Sequence, residues 1–370
     1  MKKIIDTKRE IWSDILKRPT QSYSDIEPLV AEIFDDISEK GDVAVKRYIE
    51  KFDKASFDIL QVDSSAIEQA KKSVSKELKD AIQLAKSNIE AFHASQKTVP
   101  VKIESTPGVV CWQEKRAIEK VGLYIPGGTA PLFSTILMLA VPAAIAGCEE
   151  VVMCTPTDAE GNVHPAVLYT ADLCGIKKIY KAGGIQAIAA MTFGTESIPQ
   201  VYKIFGPGNQ YVTVAKQMAM KFGVGIDLPA GPSELLVFAD ESATASFMAA
   251  DLLSQAEHGT DSQVILVCTS KDKLKEIEQE IMLQLENLPR KEIAVQAIEN
   301  SKLIYCSDLE RAIDLINAYA PEHLVISTSN TAKILTKIKN AGSVFVGDYS
   351  PESAGDYASG TNHTLPTNGF

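Results

Sequence analysis

A chain of 370 residues exceeds what one ordinary hydrophobic core organises, so two domains of usual size are expected. With 45% hydrophobic and 23% charged residues, the composition is that of a globular enzyme. A formal charge of −11 with no basic block excludes nucleic acid as a main partner, because phosphate binding needs clustered Lys and Arg.

The N-terminal MKKIIDTKREIW is basic but has no apolar run and no small-residue cleavage site, so no export signal is expected. The first hundred residues follow a helical pattern. Ser24 with Glu27, and Ser65 with Glu68, each read as a capping box whose side chains satisfy exposed N–H groups. Gly41 is placed to stop the first helix, and the second is expected to run to about Ala94.

From Lys120 short apolar strands alternate with helices, as in VGLYIPGG, LFSTILMLAVPAAIAG and EVVMCTP. This rhythm predicts a parallel sheet covered on both faces. The stretch Val121–Cys148 is uncharged, but Pro126, Gly127, Gly128, Pro131 and Pro142 interrupt it. A strand, a turn and a core helix explain it better than a membrane span. After DLPAGPSE the rhythm resumes with ELLVFAD, QVILVCTS, KLIYCS, HLVIST and SVFVGD. Two open α/β layers meeting near Ser233 are expected, with the N-terminal helices packed on the second. Six scattered cysteines without a CxxC pair read as reduced, mostly buried thiols, which fits the cytoplasm.

Of the five histidines, His93 reads as exposed on a polar helix and His164 as a loop or cap residue at a helix start. His258, His323 and His363 each stand beside acidic or amide groups at the end of an element. Gln255 and His258 fall three apart on the helix expected from Ser242, so they share a face that Gly259 leaves at the helix mouth. Hydrogen bonds at a helix end explain such a pair, and so does metal binding, in which imidazole is common and Gln uncommon. Glu322 and His323 could divide acid and base work if the chain at Pro321 is still turning, and otherwise form an exposed loop pair. Residues 350–368 look too irregular for helix or strand, and Asp356 and His363, beside Gly355 and Gly360, make them a loop that brings ligands in.

Three glycine-rich turns, YIPGGTAP, KAGGIQAI and FGPGNQYV, can aim backbone N–H groups at an anion. None matches GxGxxG. AGPSELL lacks the second glycine of a nucleophile elbow, which leaves Ser233 a polar contact and not a nucleophile.

In order and spacing, VGLYIPGGTAPLFSTILMLAVPA, FGPGNQYVTVAK, DLPAGPSE, DLLSQAEHG, YAPEHL and ESAGDYASGTNHTLPT resemble the histidinol dehydrogenase family, over nearly the whole chain. The resemblance implies two incomplete Rossmann-like domains, each an open and mostly parallel sheet, with an N-terminal helical segment. Residues 1–120 with 235–370 would form the substrate and zinc domain, and residues 121–234 the NAD domain. It implies oxidation of L-histidinol through the aldehyde to L-histidine, the last step of histidine biosynthesis, with two NAD reduced.

By the same likeness Gln255, His258 and Asp356 fall on zinc-ligand positions that also touch substrate, one zinc per subunit. Glu322 and His323 match proton acceptors, His323 also a substrate contact, and Ser233 another. Tyr124, Gln186 and Asn209 match NAD contacts. The partner expected is a second copy, as a homodimer, with neither nucleic acid nor membrane. Family members continue into a helical tail that gives the partner subunit a histidine ligand and a glutamate. The sequence ends at Phe370, which implies an incomplete zinc shell, a looser dimer and reduced turnover, with binding of NAD or histidinol without reaction as the alternative. A rival from another class is a thiol-dependent aldehyde dehydrogenase using Cys111, Cys148 or Cys154, although none adjoins a His.

Overall fold

The computed structural model describes residues 1–19, 23–127, 131–229, 231–367 and 369. The chain opens with strand β1 (Lys2–Ile5) and the short helix α1 (Trp12–Ile15), followed by α2 (Tyr23–Phe52), α3 (Ser64–Ser73) and α4 (Lys76–Ala94). A hairpin of β2 (Lys102–Thr106) and β3 (Val109–Trp112) precedes the first sheet. That sheet is built from β4 (Lys120–Tyr124), α5 (Phe133–Ala146), β5 (Glu150–Thr155), α6 (Pro165–Leu173), β6 (Lys178–Lys181) and α7 (Gly184–Phe193). It continues with β7 (Lys203–Phe205), α8 (Gln210–Lys221) and β8 (Gly225–Ile226).

The second sheet starts at β9 (Glu234–Ala239) and α9 (Ala245–Ala256), then β10 (Gln263–Cys268), α10 (Lys271–Leu285) and α11 (Lys291–Glu299). It closes with β11 (Lys302–Tyr305), α12 (Leu309–Tyr319), β12 (His323–Ser327), α13 (Thr331–Leu335), β13 (Ser343–Val346) and α14 (Glu352–Tyr357).

Both sheets are parallel throughout, in the orders β6-β5-β4-β7-β8 and β1-β11-β10-β9-β12-β13. Apart from the added β1, both orders wind the same way. The first strand is central, two successors lie on one side, and the winding reverses to place two more on the other. This is the half-fold of a dinucleotide-binding domain, whose crevice lies where the order reverses. Its strands are buried on both faces, as β9 and β10 show at every position.

The chain divides into two compact units, one of residues 1–22, 229–355 and 365–370, the other of residues 23–228 and 356–364. The division corrects the expected placing of the N-terminal helices on the second sheet: residues 23–120 fold with the first. The cause is the apolar stripe of α2, Val30, Ile33, Phe34 and Ile37, which packs into one core with Ile188, Met191 and Val214. Ile82 and Ile89 of α4 pack likewise against Leu137, Met138 and Val141 of α5. Only the first 22 residues join the second sheet, with β1 at its edge and Trp12, Ile15 and Leu16 in its core.

Gly41, at φ 51°, ψ −132°, leaves the helical region inside α2, so the first helical piece stops there as expected and a second begins across the kink. A Cβ there would meet the Glu196 carboxylate at 2.3 Å. The capping box expected at Ser65 is displaced by two residues, since Asp63 accepts the Ser65 N–H and starts α3. The expected long helix divides, and Ser75 caps α4. Among the described residues no helix is long and apolar enough to cross a membrane.

Ile33 is fully buried in the core shared by α2, α7 and α8. Ile33→Ala should therefore cost about 2–5 kcal/mol in urea unfolding, whereas packing on neither sheet would leave the midpoint almost unchanged.

Candidate active site

The first unit's site grows from strand register. His323, the first residue of β12, lies beside Leu235 of β9, so the starts of two central strands stand together. The Glu234 N–H donates to Glu322 Oε2 at 3.1 Å, and His323 Nδ1 lies 3.1 Å from the Glu234 carbonyl oxygen. A carbonyl can only accept, so Nδ1 carries the proton and the neutral ring keeps Nε2 as its acceptor nitrogen. Adjacent residues of a regular strand would point oppositely. Here both side chains reach the backbone of one residue, Glu234, because α12 ends at Ala320 in the left-handed region, φ 50°, and Pro321 follows before the strand begins.

Glu322 is 7% and His323 3% exposed, which removes the exposed loop pair. His323 Nδ1 lies 3.8 Å from Glu322 Oε2, and Nε2 lies 4.0 Å from Glu352 Oε1.

Helix α9 ends at Ala256, two residues before the expected His258. Gln255 thus sits in the last helical turn, while His258 lies in the turn beyond, its Nδ1 3.3 Å from Ser233 Oγ. Gln255 is wholly buried. Its Nε2–H donates to Glu352 Oε1 at 2.5 Å, and its Oε1 has no hydrogen-bond partner. Ser254 Oγ donates to Glu352 Oε2 at 2.8 Å.

Residues 350–368 are not all loop. Asp251 Oδ1 accepts the Glu352 N–H at 3.0 Å, which caps the first turn of the short α14. Glu352 and Asp356 stand four apart on that helix and so share a face. The boundary between units cuts α14 after Gly355, but the helix is one element, and its own geometry sets Asp356 beside Glu352. Among the described residues His323, Glu352 and Asp356 are the three buried donors that could hold one cation, their atoms within 4.8 Å of one another. Gln255 joins this group through Glu352, and His258 lies outside it.

Glu352 escaped the sequence reading because ESAGD looked like loop; the carboxylate spacing 352/356 was the available signal. His363 donates from Nδ1 to the Asp356 carbonyl at 2.9 Å and accepts at Nε2 from Thr135 Oγ1 at 2.9 Å. His164 caps α6 and His93 is bonded to Gln96, as loop and surface histidines.

The second unit holds a cleft of about 1820 Å³ lined by Tyr124, Gln186 and Asn209. That exceeds the roughly 300–1,000 Å³ of an ordinary small-molecule pocket. The three residues stand at the C-terminal ends of β4, β6 and β7 or just beyond, where ligands of open α/β sheets bind. Tyr124 Oη accepts the Gly184 N–H at 3.0 Å, and burial pushes its phenol up to about 12. Gln186 donates to Asp53 Oδ2 at 3.3 Å, and its Oε1 is buried with no hydrogen-bond partner. Burial also raises the Asp53 carboxyl, with Gln186 opposing.

Asn209 caps α8 through Val212 N. The FGPG turn before it is latched by Lys216, which donates to the Gly206 carbonyl at 2.8 Å, and by Asp227, which accepts the Gly206 N–H at 2.8 Å. Gly206 has φ 137°, and a Cβ would stand 2.1 Å from the Tyr124 carbonyl oxygen. Residues 128–130 of the first glycine turn lie outside the described residues.

The matching crevice at the C-terminal ends of β9 and β12 is closed by hydrogen bonds. Asp240 accepts from Ser242 and Ser329, and Asp348 accepts from Thr244 and Ser327. The first unit's candidate residues stand at the opposite, N-terminal edge.

The thiol rival loses its premise. Cys154, Cys174 and Cys268 are held as thiols by burial, Cys174 up to about 12 and Cys268 to about 11, and burial also raises Cys148. Cys111 is exposed on the hairpin beside Ser105.

A family profile described as Histidinol dehydrogenase matches residues 16–370. The chain is similar to the histidinol dehydrogenase of Bacteroides thetaiotaomicron, 57% identical over 370 residues, covering all of this chain and 86% of that one. With that of Escherichia coli K12 it shares 52% over 359 residues, 96% of this chain and 82% of the other. The crystal structure of histidinol dehydrogenase from Elizabethkingia anophelis superposes with a TM-score of 0.97 at 56% identity, covering 100% of this chain and 85% of that chain. A methylmalonate-semialdehyde dehydrogenase structure, TM-score 0.51 at 11% identity, shares the fold alone.

Asp251 is buried, and desolvation raises its carboxyl to about 6, with the Glu352 N–H opposing. Its unfolded value is lower, so the native state holds the extra proton between about pH 4 and pH 6, and stability falls as pH rises through that window. The loss should be at most about 3 kcal/mol. Urea unfolding of Asp251→Asn, which keeps the acceptor, should show a flatter pH profile there than the parent; equal slopes would refute the assignment.

Proposed function

The chain belongs to the histidinol dehydrogenase family, and from that premise we propose that it oxidises L-histidinol to L-histidine with NAD and a zinc ion. The observation that supports this most is the Glu322–His323 pair held on the backbone N–H and carbonyl of one residue, Glu234, with the histidine tautomer set so that Nε2 accepts a proton. Nε2 takes the alcohol proton in the first oxidation. Glu322 then takes a proton from the water that adds to the aldehyde, and Nε2 takes the hydrate's hydroxyl proton in the second. Each proton passes on to solvent.

Zinc would be held by Gln255, His258 and Asp356: Gln255 Oε1 is buried with no hydrogen-bond partner, and oxygen and imidazole donors suit that metal, although His258 stands outside the group gathered at Glu352. When bound, zinc serves as a template that fixes the substrate's imidazole and amine, with no redox role of its own. Ser233 and His323 would complete the substrate contacts. NAD would be held in the second unit's cleft, where Gln186 Oε1 and the helix termini at Gly184 and Asn209 offer polar contacts, and would supply the hydride acceptor for each oxidation. We assign the substrate and metal role to residues around β9 and β12, and the NAD role to those around β4–β8.

Six free cysteines suit a reducing compartment, and we place the reaction in the cytoplasm. The hairpin β2–β3 exposes Ile103, Val109, Val110 and Trp112. A two-stranded hairpin is marginal alone in water, which supports a homodimer that covers it. Nothing observed favours binding without turnover.

Supplied with L-histidinol, NAD and zinc, the protein should produce NADH, lose activity to a chelator and regain it with zinc. Glu322→Gln and His323→Asn should each lower kcat by about 10²–10⁴. Absence of NADH with zinc present, or full activity in both variants, would overturn the proposal.

A further inference from the structure

Arg18 lies over two hundred residues before the Glu322–His323 pair, yet it touches both points of backbone that aim that pair. Its guanidinium forks onto Glu234, Nε to Oε1 at 2.5 Å and Nη2 to Oε2 at 2.8 Å. Nη2 also donates to the Tyr319 carbonyl at 2.7 Å and to the Ala320 carbonyl at 3.4 Å. The guanidinium stacks on the Tyr319 ring, 4.2 Å from its centre, and Tyr319 Oη donates to Gln263 Oε1 at 3.0 Å. Glu234 supplies the N–H that holds Glu322 and the carbonyl that holds His323. Ala320, left-handed without being glycine, is the residue whose turn lets both side chains reach the backbone of Glu234.

We propose that Arg18 is a positioning residue for the oxidation, clamping Glu234 and the Ala320 turn so that Glu322 and His323 meet the backbone N–H and carbonyl of that one residue. The inference rests on the acid–base role given above to that pair. Stability alone explains the arrangement poorly. The Glu234 side chain is 2% exposed and that of Arg18 16%, and burying an ion pair costs desolvation that its attraction often fails to recover. A non-glycine residue in the left-handed region is strained and persists only where its surroundings hold it. The fork and its carbonyl contacts supply that hold, with a planar geometry that Lys lacks.

The test compares the parent with Arg18→Met, Arg18→Lys and Arg18→Ala in zinc-loaded protein. A misplacement of about 1 Å can cost about 10²-fold in rate, so kcat should fall by about that factor in Arg18→Met, with KM for L-histidinol and NAD changed less than about threefold. Arg18→Lys should fall between, and guanidinium ion should restore part of the rate of Arg18→Ala without raising its Tm. A kcat within about threefold of the parent in Arg18→Met, or a loss that follows Tm and ignores guanidinium, would overturn the inference. Should the parent itself make no NADH, the functional reading fails, and a crystal structure of Arg18→Met still decides this point. Glu322 and His323 are expected to leave the Glu234 backbone there; if both remain, Arg18 does not position them.

Discussion

The backbone of Glu234 is the fixed point on which the proposed catalytic pair depends. It occupies the first position of a central strand buried on both faces, where the ladders to β10 and β12 leave it little freedom. Its N–H and carbonyl are the strand's first pair of polar groups, and buried polar groups must be paired. In place of a further strand residue, Glu322 and His323 pair with them. One constraint therefore satisfies the backbone, orients two side chains and chooses a histidine tautomer. Gln255 is fixed in a similar way by Glu352, whose carboxylate leaves the amide only one orientation for Oε1.

The two units wind alike but open differently. In the first sheet the crevice at the C-terminal ends of the strands is a wide cleft with glycine turns around it. In the second, Asp240 and Asp348 fill that crevice with hydrogen bonds to serines and threonines. The chemistry-bearing side chains collect instead at the N-terminal edge. Fold likeness alone would point to the C-terminal edge, whereas the proposed function places the chemistry at the other.

Much of this was legible in the sequence, and the rest was hidden for identifiable reasons. Alternating apolar strands and helices announced two parallel sheets, because burial on both faces makes such strands continuously apolar. The motifs around Gln255, Glu322 and Asp356 carry the residues to which the proposed function gives its chemistry. The sheet that α2–α4 cover could not be read, since an apolar stripe states that a helix is buried and not against what. The helix at Glu352 was masked by a glycine and serine content that argues for loop; a distant carboxylate, Asp251, caps it. Arg18 and Glu234 carried no local signal at all, because their partnership spans 216 residues of chain.

The most direct measurement is the number of NADH formed per L-histidine released when limiting L-histidinol is consumed with excess NAD and zinc. Two are expected, with no aldehyde accumulating in the parent, and an aldehyde that reacts slowly in Glu322→Gln, where hydration loses its base. One NADH per histidinol, with free aldehyde as the product, would contradict a single centre at Glu322 and His323 that serves both oxidations.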